Sequence, residues 1–182
     1  MKIVIASDLH GSLYYANMLF ERFFAEGAEE IILLGDLYYH GPRNPLEKEY
    51  DCMAVANLLN SHKDKLTVIK GNCDAEIDEM ISEFPLLGAK TVRFGNLKLT
   101  LSHGHIYNKD NLPKEVGDIF LFGHFHTGFI EKHENLIIAN PGSTTLPRGG
   151  TPRSYLVLTD NELTLKNLET GEIICSQCLA NK

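Results

Sequence analysis

The sequence predicts an α/β layered fold in which sheet packs on sheet and helices lie outside. Three observations predict it. Apolar runs of four to six residues recur along the chain, rich in Ile, Val and Leu and bounded by Gly, Asp, Asn or Ser. In the first half these runs alternate with stretches of helical periodicity. In the second half the runs stand almost alone. Short bounded runs read as buried strands, and apolar residues three and four apart read as one face of a helix.

The elements follow in order. "KIVIAS" at 2–7 is the first strand. "SLYYANMLFERFFAEG" is a helix, with Leu13, Ala16, Leu19, Phe20, Phe23 and Phe24 near helical spacing and Gly27 as its stop. "EIILLG" at 30–35 is the second strand. A second helix is expected over about 46–61, striped by Leu46, Tyr50, Met53, Val55, Leu58 and Leu59. The remaining runs, "LTVIKG", "LKLTLS", "DIFLFG", "LIIAN", "YLVLT" and "LTLKNL", read as strands.

Bulk properties bound the function. At 182 residues the chain has the length of one domain, 1–182, which buries well over half of its unfolded surface. Its 43% hydrophobic and 23% charged residues are those of a soluble globular protein. No apolar run is long enough to span a membrane. The N-terminus "MKIVIASDLHG" turns polar too early for a signal peptide, so a cytoplasmic protein with no membrane partner is expected. The net charge of −7, without a run of Lys and Arg, argues against a stable nucleic-acid partner. Without a secretion signal, Cys52, Cys73, Cys175 and Cys178 are not expected to form a disulfide framework. "CSQC" at 175–178 stands alone, and a four-ligand zinc site needs a second pair, so both cysteines read as ordinary strand or tail residues.

The chemistry collects at strand ends. "KIVIAS" runs into Asp8-Leu9-His10, "IILLG" into Asp36, "LTVIKG" into Asn72, "KLTLS" into His103 and "IFLFG" into His124-Phe125-His126. Singly, each has a bland reading: Asp after Gly is often a helix cap or a turn. His124 and His126 flank one residue and would point the same way in a strand. Turn chemistry gives no reason for Asp and His to terminate successive strands together. Ligands sit outside the carboxyl ends of strands in such folds. Carboxylate, imidazole and amide donors without a thiolate set suit Mn²⁺, Fe²⁺ or Zn²⁺ better than Ca²⁺. Seven such ligands are too many for one ion with an open position. They suit two ions about 3.5–4 Å apart that share a carboxylate.

The order D-x-H, G-D, G-N, H-G-H, G-H-x-H resembles the calcineurin-like metallophosphoesterases, and "SDLHGS", "GDLYYHGPRN", "KGNCD", "SHGH", "GHFHTG" and "NPGS" look like their short bacterial YfcE-type branch. The resemblance covers nearly the whole chain. It implies a four-layer α-β-β-α sandwich of two mixed sheets flanked by helices, with a dinuclear site. Carried over by position, it implies that Asp8, His10 and His126 hold one ion, that Asn72, His103 and His124 hold the other, and that Asp36 bridges them together with a water or hydroxide. Mn²⁺ is the foremost ion, with Zn²⁺ and Fe²⁺ as alternatives.

On that resemblance the expected activity is hydrolysis of small phosphodiesters by a metal-bridging hydroxide. Metal binding brings the pKa of water from about 15.7 to about 7. The residual site charge of about +1 matches a diester better than a monoester, which carries roughly −1.5 to −2. Many relatives carry His beside the Asn; Cys73 stands there instead and adds no positive charge. It reads as a small buried hydrophobe or a weak donor, not a nucleophile. His105 is the candidate substitute acid or phosphate contact. Arg43, Arg148 and Arg153 are candidate phosphate contacts. Asn140 in "NPGS" is expected to support a ligand, and Tyr38, Tyr39 and His40 to wall the pocket. Glu76, Asp78 and Glu79 would disfavour highly anionic substrates if they face it. A phosphomonoesterase, a nuclease of the same superfamily and a protein-binding scaffold on the same fold are the alternatives, and a homo-oligomer is compatible with the sequence.

Overall fold

The computed structural model describes residues 1–179. Two mixed sheets form its centre. The first has seven strands in the order β12-β11-β10-β1-β2-β3-β4, with β1 (Lys2–Ala6), β2 (Glu30–Leu33), β3 (Leu66–Ile69), β4 (Leu86–Leu87), β10 (Ser154–Thr159), β11 (Glu162–Asn167) and β12 (Ile173–Cys178). The second has five in the order β5-β6-β7-β9-β8, with β5 (Lys90–Phe94), β6 (Leu97–Ser102), β7 (Ile119–Phe122), β8 (Gly128–His133) and β9 (Leu136–Pro141). β1 to β4 run parallel, as do β6, β7 and β9. Each sheet therefore gathers several carboxyl ends along one edge, which is where the loops of interest emerge.

Alternation explains the layers. In β1, Ile3 and Ile5 face the second sheet and pack with Leu99, Leu101, Ile119 and Leu121. Val4 and Ala6 face the opposite way, toward the helices. A strand buried on both faces must be apolar throughout, hence "KIVIA". Helices α1 (Leu13–Glu26) and α2 (Cys52–Asn60) cover the outer face of the seven-stranded sheet, and α3 (Glu76–Ile81) places Ile81 against the same cluster. Over the outer face of the five-stranded sheet, Phe120, Phe122 and Ile138 are covered by Tyr107, Val116, Phe125 and Phe129. Tyr107 and Val116 come from an irregular segment, so among the described residues a loop takes the place of a helix there.

Local signals set the boundaries. Ser12 caps α1 by accepting from the Tyr15 N–H at 3.4 Å, and Gly27 ends it at φ 62°, as its sequence predicts. The second helix begins later than its periodicity predicts. Glu49 adopts φ 53°, which breaks a helix, and Asp51 caps the new start by accepting from Ala54 N–H at 2.9 Å. Leu46 is consequently an exposed loop residue. α3, β4, β5, β8 and β12 carry weaker patterns than the eight apolar runs and emerge only in the structure. Cys175 and Cys178 lie on β12, and all four cysteines are free thiols.

Candidate metal centre

Five strands deliver the candidate ligands. Asp8 and His10 follow β1, Asp36 follows β2, Asn72 follows β3, His103 follows β6, and His124 and His126 follow β7. The backbone is strained where it presents them. Among the described residues seven non-glycine residues have positive φ, and five of these are Asp8, His10, Asp36, His124 and His126. Such conformations are unfavourable outside glycine and persist where the surroundings hold them, typically at functional sites. This also corrects the expectation that His124 and His126 lie in a strand and point the same way. These residues lie beyond β7, at φ 66° and 58° for the two histidines, and the two side chains join different halves of the site.

One half is Asp8, His10 and His126, all buried. His126 Nε2 lies 3.1 Å from Asp8 Oδ1 and 3.3 Å from His10 Nε2. The other half is Asp36, His103 and His124, with Asn72 beside it. His103 Nε2 lies 3.0 Å from Asn72 Oδ1, 3.3 Å from His124 Nδ1 and 3.4 Å from Asp36 Oδ1. Asp36 reaches both halves, because its Oδ2 lies 3.8 Å from His10 Nε2. Asn72 is exposed and His124 half-buried, so this second half is the open side.

The donor chemistry fits cations. His10, His103 and His126 each bring Nδ1 to within 2.7 Å of a backbone carbonyl, those of Tyr39, Leu34 and Leu146 respectively. A carbonyl only accepts, so Nδ1 carries a proton and Nε2 is the nitrogen that faces inward, the atom a cation would use. Asp8 Oδ1 is buried and accepts no hydrogen bond. The Nε2 atoms of His10 and His126 converge to 3.3 Å beside this buried carboxylate oxygen, three donor atoms that a divalent cation would satisfy together.

Electrostatics agree with the geometry. Burial pushes the Asp8 carboxyl up, but the imidazoles of His126, His103 and His10 outweigh it and hold it well below the ordinary carboxylate range. Burial pulls His103 down, but the Asp36 and Asp8 carboxylates outweigh it and hold it up to about 9. His124 and His105 are lowered by burial and by the neighbouring His103, which keeps them neutral. Burial, followed by the Asp36 carboxylate, pushes the Cys73 thiol up to about 12. Cys73 is therefore a neutral thiol, and its backbone N–H does the visible work by donating to Asp36 Oδ1 at 2.8 Å. Its sulfur nonetheless faces the site, within 4.8 Å of ligand atoms of His10 and Asp36.

The supporting frame was only partly legible in the sequence. Asn140 Nδ2 donates to Gly123 O at 2.8 Å and so holds the start of the His124 turn, as expected. Asp74 belongs to the same frame. It is buried and accepts from the backbone N–H groups of Asp36, Leu37 and Gly71 at 2.9, 2.8 and 2.7 Å, locking the loops after β2 and β3 together. Ser143 and Thr145 hydroxyls donate to the carbonyls of Asp8 and Leu9 at 2.8 and 2.7 Å. The signal for Asp74 was its place beside Asn72 in "KGNCDAE"; Ser143 and Thr145 had no signal beyond the turn.

Other candidates divide. His105 lies at the rim, its ring 5.4 Å from that of His103 and 6.2 Å from that of His124. Arg148 adjoins the first half, its N–H donating to His126 O at 2.9 Å and its Nη2 to Asn44 Oδ1 at 3.3 Å. Arg153 is committed elsewhere, to Glu47, Glu169 and the Tyr15 ring, and Arg43 is an exposed loop residue. Tyr38 does not wall the site; it is buried in the helical core with its hydroxyl on Ser82. Tyr39 contributes its carbonyl to His10, and His40 turns toward Tyr50. Asp78 accepts from Ala75 N–H at the start of α3, Glu79 pairs with Lys70, and Glu76 is exposed.

Two mixed sheets that gather carboxylates and imidazoles at their carboxyl edges define a phosphoesterase-type fold. The description of a calcineurin-like phosphoesterase superfamily domain matches residues 1–162, and the chain belongs to that family. It is 38% identical over 176 residues to the phosphodiesterase YfcE of Escherichia coli K12, covering 96% of both chains. The solved structure of an E. coli YfcE phosphoesterase superposes with TM-score 0.95 at 35% identity, covering 99% of this chain and 100% of that one. A probable metallophosphoesterase of Bacillus subtilis, YsnB, is 30% identical over 167 residues, 87% of this chain and 84% of its own. Vps29 of Entamoeba histolytica matches at TM-score 0.66 and 19% identity, over 99% and 100% of the two chains, which shows a shared fold alone.

Proposed function

We propose that the chain is a metal-dependent phosphodiesterase that hydrolyses small phosphodiesters with two divalent ions. The observation that carries this reading is Asp36, whose two oxygens face two separate histidine clusters. Asp8, His10 and His126 would hold one ion, Asn72, His103 and His124 the other, and Asp36 both. Mn²⁺ is the foremost ion, because nitrogen and oxygen donors with a neutral Cys73 suit a borderline cation; Zn²⁺ and Fe²⁺ fit the same set. Two such ions supply Lewis-acid polarisation of phosphate oxygens and a water acidic enough to ionise near neutral pH.

The remaining chemistry belongs to the chain. Carbonyls behind three histidines fix their tautomers and aim Nε2. Asp74 and the Cys73 N–H hold Asp36 in place. Neutral His105, at the open rim, donates an N–H to the phosphate or to the departing oxygen. Arg148, anchored to His126 O through its backbone N–H and to Asn44 Oδ1 through its guanidinium, is the arginine placed to meet a phosphate. Asp8, Asp36 and a hydroxide would together offset all but about one of the four positive charges of two divalent ions, which matches a singly charged diester better than a monoester.

The partner is a small phosphodiester rather than a nucleic acid, in keeping with the net charge of −7. No helix among the described residues is long and apolar enough to cross a membrane. Four free thiols support a reducing, cytoplasmic location. The test is to load the metal-free protein with Mn²⁺, Zn²⁺ or Mg²⁺ in turn and to compare bis-p-nitrophenyl phosphate with p-nitrophenyl phosphate. Metal-dependent cleavage of the diester ahead of the monoester is expected. Faster monoester cleavage would reject the charge argument. No cleavage with two ions bound would move the chain to a binding role.

A further inference from the structure

A cavity of about 430 Å³ lies beside the open half of the centre. Ile69, Ala89, Ile106 and Tyr107 give it apolar walls, and His103 and His105 close the side toward the ligands. His103 thus lines this cavity and also belongs to the Asp36–His103–His124 cluster, so the cavity adjoins the open half of the centre.

The walls are preformed. Tyr107 packs on the Phe120–Phe122 cluster. Ile106 is 56% exposed, yet its loop is pinned. Asn111 Nδ2 donates to Ile106 O at 2.8 Å, Asn108 Nδ2 donates to Gly104 O at 3.0 Å, and Asn108 and Asn111 exchange backbone bonds at 3.1 and 3.2 Å. On the far wall the Lys70 N–H donates to Leu87 O at 2.7 Å, and Glu79 offsets the Lys70 ammonium at 2.6 Å. An exposed isoleucine held by a pinned loop over a cavity is an apolar surface that needs little further ordering to bind. The cavity falls within the range of about 300–1,000 Å³ that organic groups fill.

We infer that this cavity receives the leaving alcohol of the diester, and that Ala89, Ile106 and Tyr107 select flat, largely apolar alcohols such as aryl groups over small or charged ones. The inference rests on the phosphodiesterase reading. His105 decides the direction: at the cavity mouth its N–H meets the ester oxygen that joins the arm to phosphorus, the oxygen that gains charge on departure. Water oxygen forms the new P–O bond, the P–O bond to the arm in the cavity breaks, and the arm leaves as an alcohol carrying one proton of that water.

The test uses Ala89→Trp, which fills the cavity from an exposed position, and Ile106→Ala, which strips its wall. Methyl p-nitrophenyl phosphate and methyl trifluoroethyl phosphate are compared in each protein. The ratio of their kcat/KM values, taken relative to the parent protein, cancels their different intrinsic reactivity. The ratio should fall at least about tenfold in Ala89→Trp and about threefold in Ile106→Ala, mainly through KM for the aryl ester. Separately, p-nitrophenol titrated into the ¹⁵N-labelled metal-free protein should shift the amides of Lys70, Gly88, Ile106 and Tyr107, and Ala89→Trp should abolish those shifts. Unchanged ratios in both variants, or unmoved amides while esters are cleaved, overturn the cavity assignment alone. Shifted amides without cleavage of any diester overturn the phosphodiesterase reading and leave the cavity as an aryl-alcohol site.

Discussion

Asp36 is the residue on which the centre turns. Asp36→Asn keeps the shape but weakens the donor that faces both histidine clusters. Elemental analysis should show loss of at least one ion per chain, and diesterase activity should fall by more than about 100-fold. Retention of both ions would remove Asp36 from the shared position. Cys73 poses a different question. Its neutral thiol stands where an imidazole would add an acid, and a positioned acid is worth about 10²–10⁴ in rate. Cys73→His should therefore raise turnover of diesters with poor leaving groups, by tenfold or more within that range, at constant metal content; steady-state rates across a leaving-group series would show it. His103 gives a pH signature. Its pKa in the fold, about 9, lies above the ordinary 6.5. Its pairing with Asp36 therefore stabilises the metal-free chain fully below about 6.5 and loses that contribution as pH rises through about 9. A metal ion needs the bare Nε2, so uptake between those pH values must release a proton and affinity must fall as pH drops. Calorimetry in two buffers of different ionisation enthalpy counts that proton; a count of zero at about pH 7.5 would contradict a charged His103.

At the scale of elements, the site depends on how loops after different strands are tied together. Asp74 joins the loops after β2 and β3 through three backbone N–H groups. Asp74→Ala leaves these donors buried without acceptors, at about 1–3 kcal/mol each, so chemical denaturation should show a loss of at least about 3 kcal/mol. Metal binding should weaken with it, because Asp36 is one of the residues released. Gly71 acts through space. A Cβ there would lie 2.2 Å from Asp36 Oδ1 and 2.4 Å from Asp36 N, so no side chain fits without displacing the Asp36 carboxylate. Much of this arrangement was legible in the sequence. The residues that end β1, β2, β3, β6 and β7 stand out because Asp, His and Asn follow apolar runs in succession. The late start of α2 was not legible, since the apolar stripe continues through Leu46 and Tyr50 while Glu49 turns the backbone. Nor was the true geometry of His124 and His126, where backbone strain replaces strand alternation.

For the whole molecule, metal and fold are linked. The ligands arrive from both sheets, so an ion bound between them restrains the two layers together. At a free concentration one hundred times its Kd, each ion should add about 2.7 kcal/mol to the unfolding free energy, or roughly 5–10 °C in Tm for a chain of this size. Thermal melts with Mn²⁺ and with a chelator would read this directly. A Tm indifferent to both would mean that no ion bridges the sheets.

The sequence by itself determined the class of fold, the eight strands that are apolar runs and the types of the candidate ligands. Each of these is a local matter: buried strands must be apolar on both faces, and their ends must be polar wherever chemistry is done. It also carried the family resemblance, because the ligand order along the chain survives as motifs. Tertiary structure decided what depends on distance between segments remote in sequence. It set Asp36 between two clusters, turned His124 and His126 to opposite halves, withdrew Tyr38 and Arg153 from the site, and opened a cavity behind His103. These are properties of packed layers and strained turns, and a linear pattern does not encode which of several polar residues near a strand end will face inward.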